Sequence, residues 1–211
     1  EVQGNKIIRL EEKPKNPKSD LAIVGAYLFD SKIFDACKAI QPSARGELEI
    51  THAIQWQIDQ KIEVSASEIT GWWKDTGRLE DMLQANRIVL DSLKVIPKNA
   101  KIDSQSSIES RVQFEEGVEI INSKVRGPCV LGKGVKVINS YIGPYTSLSA
   151  GVVIQDCQIE HSIVLNDSKI LGLKYRVQDS LIGKGVLLEQ KNSSPNSYQI
   201  MVGDNSEVFV L

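Results

Sequence analysis

From residue 98 onward, single aliphatic residues return at about every sixth position, and this repeat limits the fold more than any other feature. Ile102, Ile108, Phe114 and Ile120 keep the count, as do Val125, Leu131 and Val137, then Ile142, Leu148 and Ile154, and later Ile182 and Leu188. Small or turn-forming residues fill the gaps, in LGKGVK, IGPYTS, LSAGVV and IGKGVL. A six-residue period is neither the 3.6 of a helix nor the alternation of a half-buried strand. It suits a parallel β-helix with three flat sides, each turning one aliphatic inward. Such sides predict roughly five coils between residues 98 and 188, stacked at about the 4.8 Å strand spacing. Steps shorten between residues 154 and 180, where irregular coils or loops are expected. The tail YQIMVGDNSEVFVL alternates like a strand pair around a GDN turn and is expected to cap the open end. The GKG turns at 132–134 and 183–185 lack the strand–GxxxxGK[ST]–helix setting of a phosphate loop and are read as coil corners.

Residues 1 to about 93 have a different texture. KIIRL and AIVGAYLFD read as strands, and ITGWW as a short one. Ser31 to Ile40 places Ile33, Phe34, Cys37 and Ile40 on one helical face. Gly46 to Gln60 spaces Ile50, Ile54 and Ile58 four apart, and a third helix follows DTG, with Thr76 able to cap it and Leu79, Met82, Leu83 and Leu93 near helical spacing. The fold class expected is therefore α/β followed by a parallel β-helix, with domains over 1–94 and 95–190 and a terminal strand or cap over 191–211.

Composition narrows the partners. The 211 residues are 41% apolar and 25% charged, with net charge −2. That supports a core rather than disorder and gives no electrostatic case for nucleic acid or a membrane surface. No apolar run is long enough to span a bilayer. Cys37, Cys129 and Cys157 form no CxxC pair and are expected to be buried thiols in a reducing cytoplasm. His52 and His161 are not spaced as zinc ligands.

Four clusters in the first half could meet on one ligand. Glu11, Glu12 and Lys13 lie in RLEEKPKNP; Gly25 and Tyr27 on the next expected strand; Arg45 in PSARGELEIT; and Asp75 in GWWKDTG. Carboxylates suit hydroxyls and an ammonium suits phosphate. Arg45 just before a helix N-terminus suits an anion, since free N–H groups and a guanidinium fork point the same way. A carboxylate at a strand end near phosphates suits Mg²⁺.

Taken together, EEKPKNPKSDLAIVGAYLFD, PSARGELEIT and GWWKDTG closely resemble the sugar nucleotidylyltransferases, in particular the glucose-1-phosphate thymidylyltransferases. The likeness covers most of residues 1–90, and the hexapeptide half looks like the left-handed β-helix of the long forms. The resemblance implies roles. Glu12 would hold sugar hydroxyls, Lys13 and Arg45 the sugar phosphate, and Ile23, Gly25 and Tyr27 would line the sugar pocket. Asp75 would bind Mg²⁺, with Trp73 beside it. Ile23 and Val24 stand where relatives often carry Val and Thr. The implied reaction converts dTTP and glucose 1-phosphate to dTDP-glucose and pyrophosphate by in-line attack, helped by positioning and charge neutralisation. The family's GxGTRLxPxT signature is not in this sequence. On that ground the chain is read as a C-terminal fragment lacking the nucleotide-binding half, and is expected to be inactive alone. Other readings stay open: transfer to another sugar nucleotide such as a UDP-sugar, acetyl transfer on the β-helix with His161 as base, or a β-helix that serves only for homo-oligomer assembly.

Overall fold

A computed structural model describes residues 1–94, 100–191 and 198–209. Pro97, where the texture changes, and the last two tail residues lie outside these. The described chain forms two compact units, Glu1–Asp75 and Thr76–Leu211.

The second unit is a parallel β-helix of about five coils, with three sheets of five, five and six strands. In one sheet Ile102, Ile120, Val137, Ile154, Ile170 and Leu188 lie in register one above another. The second stacks Ile108, Val125, Ile142, Ile159 and Val177, and the third stacks Phe114, Leu131, Leu148, Val164 and Ile182. Every aliphatic picked out by the six-residue count stands in one of these columns. From the second coil to the fourth they are shut off from solvent, and the end rungs are partly open. The stretch 154–180 is not looped out. Its strands Val153–Gln155, Gln158–Glu160, Ile163–Val164 and Lys169–Leu171 remain in the ladders. Ile159, Val164 and Ile170 continue the columns in shorter steps, because a coil can lose a corner residue and keep its inward-facing positions.

The corners explain the turn residues. Gly117, Gly134, Gly151 and Gly185 take left-handed backbone, with Asp167 doing the same between the last two. Both GKG turns fall at this edge, as read from the sequence. At a second edge, hydroxyls climb the coil: Ser123 N–H donates to Ser106 Oγ, Ser140 N–H to Ser123 Oγ, and Cys157 N–H to Ser140 Oγ at 3.0, 3.0 and 3.1 Å. Each of Ser123 and Ser140 returns its proton to a carbonyl two residues back. Buried backbone groups at a tight corner thus keep their partners. Asn122, Asn139 and Asp156 form an amide–carboxylate ladder just outside, at 3.0 Å per rung.

A helix before the coils belongs to this unit. Helix α3, Leu79–Asp91, buries Leu90. Its Asn86 donates to the Tyr145 carbonyl and accepts from Ser147 Oγ, and Arg87 stacks over the Tyr145 ring. Asp91 receives the Tyr145 hydroxyl and the Arg111 guanidinium. Texture in the sequence changes at Pro97, whereas the compact units divide after Asp75. Thr76 does not cap this helix: Arg78 stands at the N-cap with no side-chain cap bond, two residues beyond the expected start.

The first unit holds two helices, α1 over Ile33–Ala39 and α2 over Ile50–Asp59. They pack on each other through Ile33, Ala36 and Ala53, with Ile40 and Trp56 at the margin. Phe34 and Cys37 do not share this face. Phe34 is exposed and so is the Cys37 thiol, while Cys129 and Cys157 are buried as expected. Strand pairing in this unit is confined to Val2–Gln3 against Lys6–Ile7, with a bridge from Lys6 to Ser65. AIVGAYLFD and ITGWW run as unpaired backbone, and the described part of the tail makes a turn at Asp204 and Asn205 without strands. β-branched and aromatic residues favour a strand only where a neighbouring strand receives their backbone groups. Among the described residues no helix is long and apolar enough to cross a membrane.

Candidate active site

Two of the four clusters, those of Glu12 and Arg45, meet in direct contact in the first unit. The centre is Arg45. It sits in a tight turn closed by Ser43 N–H to Glu47 C=O and Gly46 N–H to Ser43 C=O, with Gly46 in left-handed backbone at φ 77°. The Ser43 hydroxyl accepts the Arg45 N–H at 3.1 Å and donates to Glu49 at 2.9 Å. The Arg45 guanidinium reaches Glu12 at 3.4 Å, Glu47 at 3.0 Å and Glu49 at 3.4 Å. Glu12 also accepts the hydroxyl of buried Thr51 at 2.9 Å. Leu10 N–H, two residues before Glu12, donates to Gln55 at 2.7 Å, which ties the EEKP segment to helix α2.

Tyr27 belongs to the same neighbourhood. Its phenol is pushed up from the usual range, first by burial and then by the negative charge of Glu12. Its ring stacks on Phe29 at 5.6 Å. Gly25 has φ 77°, a backbone shape that glycine adopts without strain, and this turns the chain two residues before Tyr27. Lys13 also takes positive φ, at 41°. Such backbone is uncommon for a side-chain-bearing residue and recurs at ligand-binding positions. The Lys13 and Ile23 side chains are exposed.

Two expectations need correction. Helix α2 begins at Ile50, not at Gly46, so Arg45 is five positions ahead of it. The helix N-cap is Glu49, whose carboxylate is turned to Ser43 and Arg45. No open helix N-terminus stands beside Arg45. Asp75 does not end a strand either, and Trp73 beside it is 50% exposed. A carboxylate is the right donor for a hard cation, and Mg²⁺ takes only one or two of them beside phosphates and water. Among the described residues, however, no group of three or more His, Cys, Asp or Glu gathers to hold a metal.

The sequence reading missed Ser43, Glu49 and Thr51, which fix Arg45 and Glu12 in place. The signal was present in SARGELEIT: a serine two before the arginine, and a glutamate and a threonine four and six after it, all on one turn and the first turn of α2.

On the β-helix, a shallow groove of about 610 Å³ runs along the amide ladder, past Lys124, Tyr141, Gln158 and Lys174. His161 lies at another corner, in left-handed backbone at φ 48°. Its Nδ1 is 3.6 Å from Asp179, and its ring meets Tyr145 edge-on at 5.2 Å.

Residues 1–92 match the nucleotidyl transferase family. Over 98% of its length the chain is 46% identical to a glucose-1-phosphate thymidylyltransferase of Streptomyces griseus, and over 97% it is 44% identical to one of Streptomyces antibioticus. It is 33% identical over 86% of its length to a bifunctional sugar-1-phosphate nucleotidylyltransferase/acetyltransferase of Sulfurisphaera tokodaii, of which it covers 46%. The chain spans 58% and 57% of the two Streptomyces proteins; over that span it is similar to nucleotidyltransferases through both the Arg45 unit and the β-helix.

Proposed function

We propose that this protein takes part in transferring a thymidylyl group from dTTP to glucose 1-phosphate, with dTDP-glucose and pyrophosphate as products. The observation that carries the proposal is the meeting of Glu12, Thr51 and Arg45 through direct hydrogen bonds, in a chain 46% identical to a protein of that name. In this reading Arg45 and Lys13 take the sugar phosphate, and Glu12 accepts bonds from sugar hydroxyls. Ile23, Gly25, Tyr27 and Trp73 surround the sugar. The residues of this chain hold and orient the nucleophile; they form no covalent bond with it. Charge-assisted contacts of this kind contribute roughly 1.5–3 kcal/mol each. Mg²⁺, when bound, would neutralise phosphate charge, and Asp75 is the carboxylate this chain offers it. Transfer to another sugar nucleotide, such as a UDP-sugar, is the nearest variant of the reading.

The test is calorimetric titration of the 211-residue chain with glucose 1-phosphate, glucose and glucose 6-phosphate, beside a pyrophosphate-release assay with dTTP or UTP and Mg²⁺ in which the chain alone is expected to stay inactive. Saturable binding of glucose 1-phosphate that Arg45→Ala abolishes is the expected result. Absence of such binding, or its survival in Arg45→Ala, would defeat the assignment.

A second reading, acetyl transfer at the β-helix, is favoured by one contact: Asp179 stands 3.6 Å from His161 Nδ1, beside the imidazole that would serve as base. Acetyl-coenzyme A consumption lost in His161→Ala would support it. Consumption unchanged by that substitution would remove it.

A further inference from the structure

Three carboxylates crowd one guanidinium at Arg45, and they are not equivalent. Glu49 is buried, at 8% exposure, and is tied to the Ser43 hydroxyl. Taking Arg45 away would strand a buried charge, so this pair stays together. Glu47 is an exposed partner on the same turn, with a side chain 59% exposed and screened by water. Glu12 comes from a segment 33 residues earlier and shares Nη1 of Arg45 with Glu49. Each has a hydroxyl donor besides Arg45, Ser43 for Glu49 and Thr51 for Glu12, both at 2.9 Å. In Glu49 the serine and the arginine meet the same oxygen, whereas in Glu12 Thr51 holds Oε2 and Arg45 touches only Oε1, on the more exposed of the two side chains. Glu12 is thus the carboxylate that can release Arg45 at the lower cost while its second oxygen stays bonded.

A phosphate arriving at Arg45 competes with Glu12 for Nη1, which already serves Glu49, and like charges a few ångströms apart repel. We infer that Arg45 and Glu12 form an exchange latch, in which the phosphate of a sugar phosphate displaces Glu12 from Arg45 and so frees Glu12 for a hydroxyl of the same ligand. The inference rests on the sugar-phosphate reading above and adds a coupling to it. An anion without hydroxyls breaks the pair and leaves Glu12 short of a partner. A sugar without phosphate must compete with Arg45 for Glu12. Only a ligand bearing both groups satisfies both sides, so the latch selects phosphorylated sugars against the commoner free anion.

The test measures inorganic phosphate and glucose 1-phosphate binding to the 211-residue chain by calorimetry, in the wild type and in Glu12→Gln. The latch requires opposite changes. Inorganic phosphate should bind Glu12→Gln about threefold tighter, the scale of one exposed ion pair. Glucose 1-phosphate should bind it weaker. Phosphate affinity that is unchanged, reduced or undetectable in Glu12→Gln overturns the latch. Should Glu12→Gln not fold, Thr51→Val takes its place. Without the second donor Glu12 holds Arg45 harder, and phosphate should bind about twofold weaker; equal or tighter binding overturns the latch. The substrate reading is judged separately. If the wild type binds glucose 1-phosphate no tighter than inorganic phosphate, that reading fails, even where Glu12→Gln shows its gain for phosphate.

Discussion

The two units of this chain solve opposite problems. In the β-helix, sixteen residues form one continuous buried cluster, and nearly every corner group finds a partner one coil away. In the first 75 residues the buried apolar cluster has three members, and large side chains such as Leu28, Trp72 and Trp73 face solvent. Yet the groups suited to chemistry, Glu12, Tyr27, Arg45 and Thr51, all lie in that thinner unit. A repeat fold gains stability by making each coil like the last, and a binding site needs unlike groups from distant segments held together. Here the first task falls to residues 76 onward and the second to a small network of charged hydrogen bonds.

Substitutions can break this contrast. The largest effect is expected from Ile142→Ala, in the middle coil and fully buried. It should cost about 2–5 kcal/mol, since the stacked coils above and below cannot collapse into the space. Ile33→Ala, in the small cluster, should fall at or below the bottom of that range. Urea unfolding followed by circular dichroism compares the two, and equal losses would erase the contrast. Ser140→Ala comes next. It removes the acceptor of the Cys157 N–H at a buried corner and should cost about 1–3 kcal/mol by the same measurement.

The thiols report the contrast without mutation. Burial pushes the Cys129 thiol up to about 12 and raises Cys157 as well, whereas Cys37 is exposed. A thiol reagent at pH 8 should label one cysteine per native chain and three after denaturation. Labelling of Cys129 at the rate of Cys37 would mean that the coils open.

The smallest effect is electrostatic. Lys124 holds the Glu109 carboxyl below its ordinary value of 4.5, and Lys101 with Lys136 does the same for Glu119. Carboxyls lowered in the folded state stabilise it above their unfolded value, and the gain disappears as pH falls through the lowered one. Melting of the β-helix should therefore be flat from neutral pH to about 5 and drop below about 4.5, with a slope that salt reduces. Both groups are open to water, so Glu109→Gln with Glu119→Gln should lessen the slope only modestly.

The β-helix was legible because each inward position had to be aliphatic and each corner small or left-handed, and that demand repeats in sequence. Even the stretch 154–180, which reads as irregular by its spacing, keeps Ile159, Val164 and Ile170 in the columns. Arg45, Glu12 and Tyr27 were legible as motif residues. Thr51, Glu49 and Ser43 were not, since their importance lies in which atoms they reach. AIVGAYLFD misled because strand-forming residues state a preference, whereas a strand needs a partner.

The sequence by itself determined the period, the three-sided coil, the inward aliphatics and the residue types of the site, since each of these follows from local spacing and side-chain chemistry. Tertiary structure alone decided that α3 packs with the coils, that Phe34 and Cys37 face outward, and that Glu12 meets Arg45 across 33 residues. Those outcomes depend on distances through space between segments far apart in the chain, and no local pattern in the sequence specifies such distances.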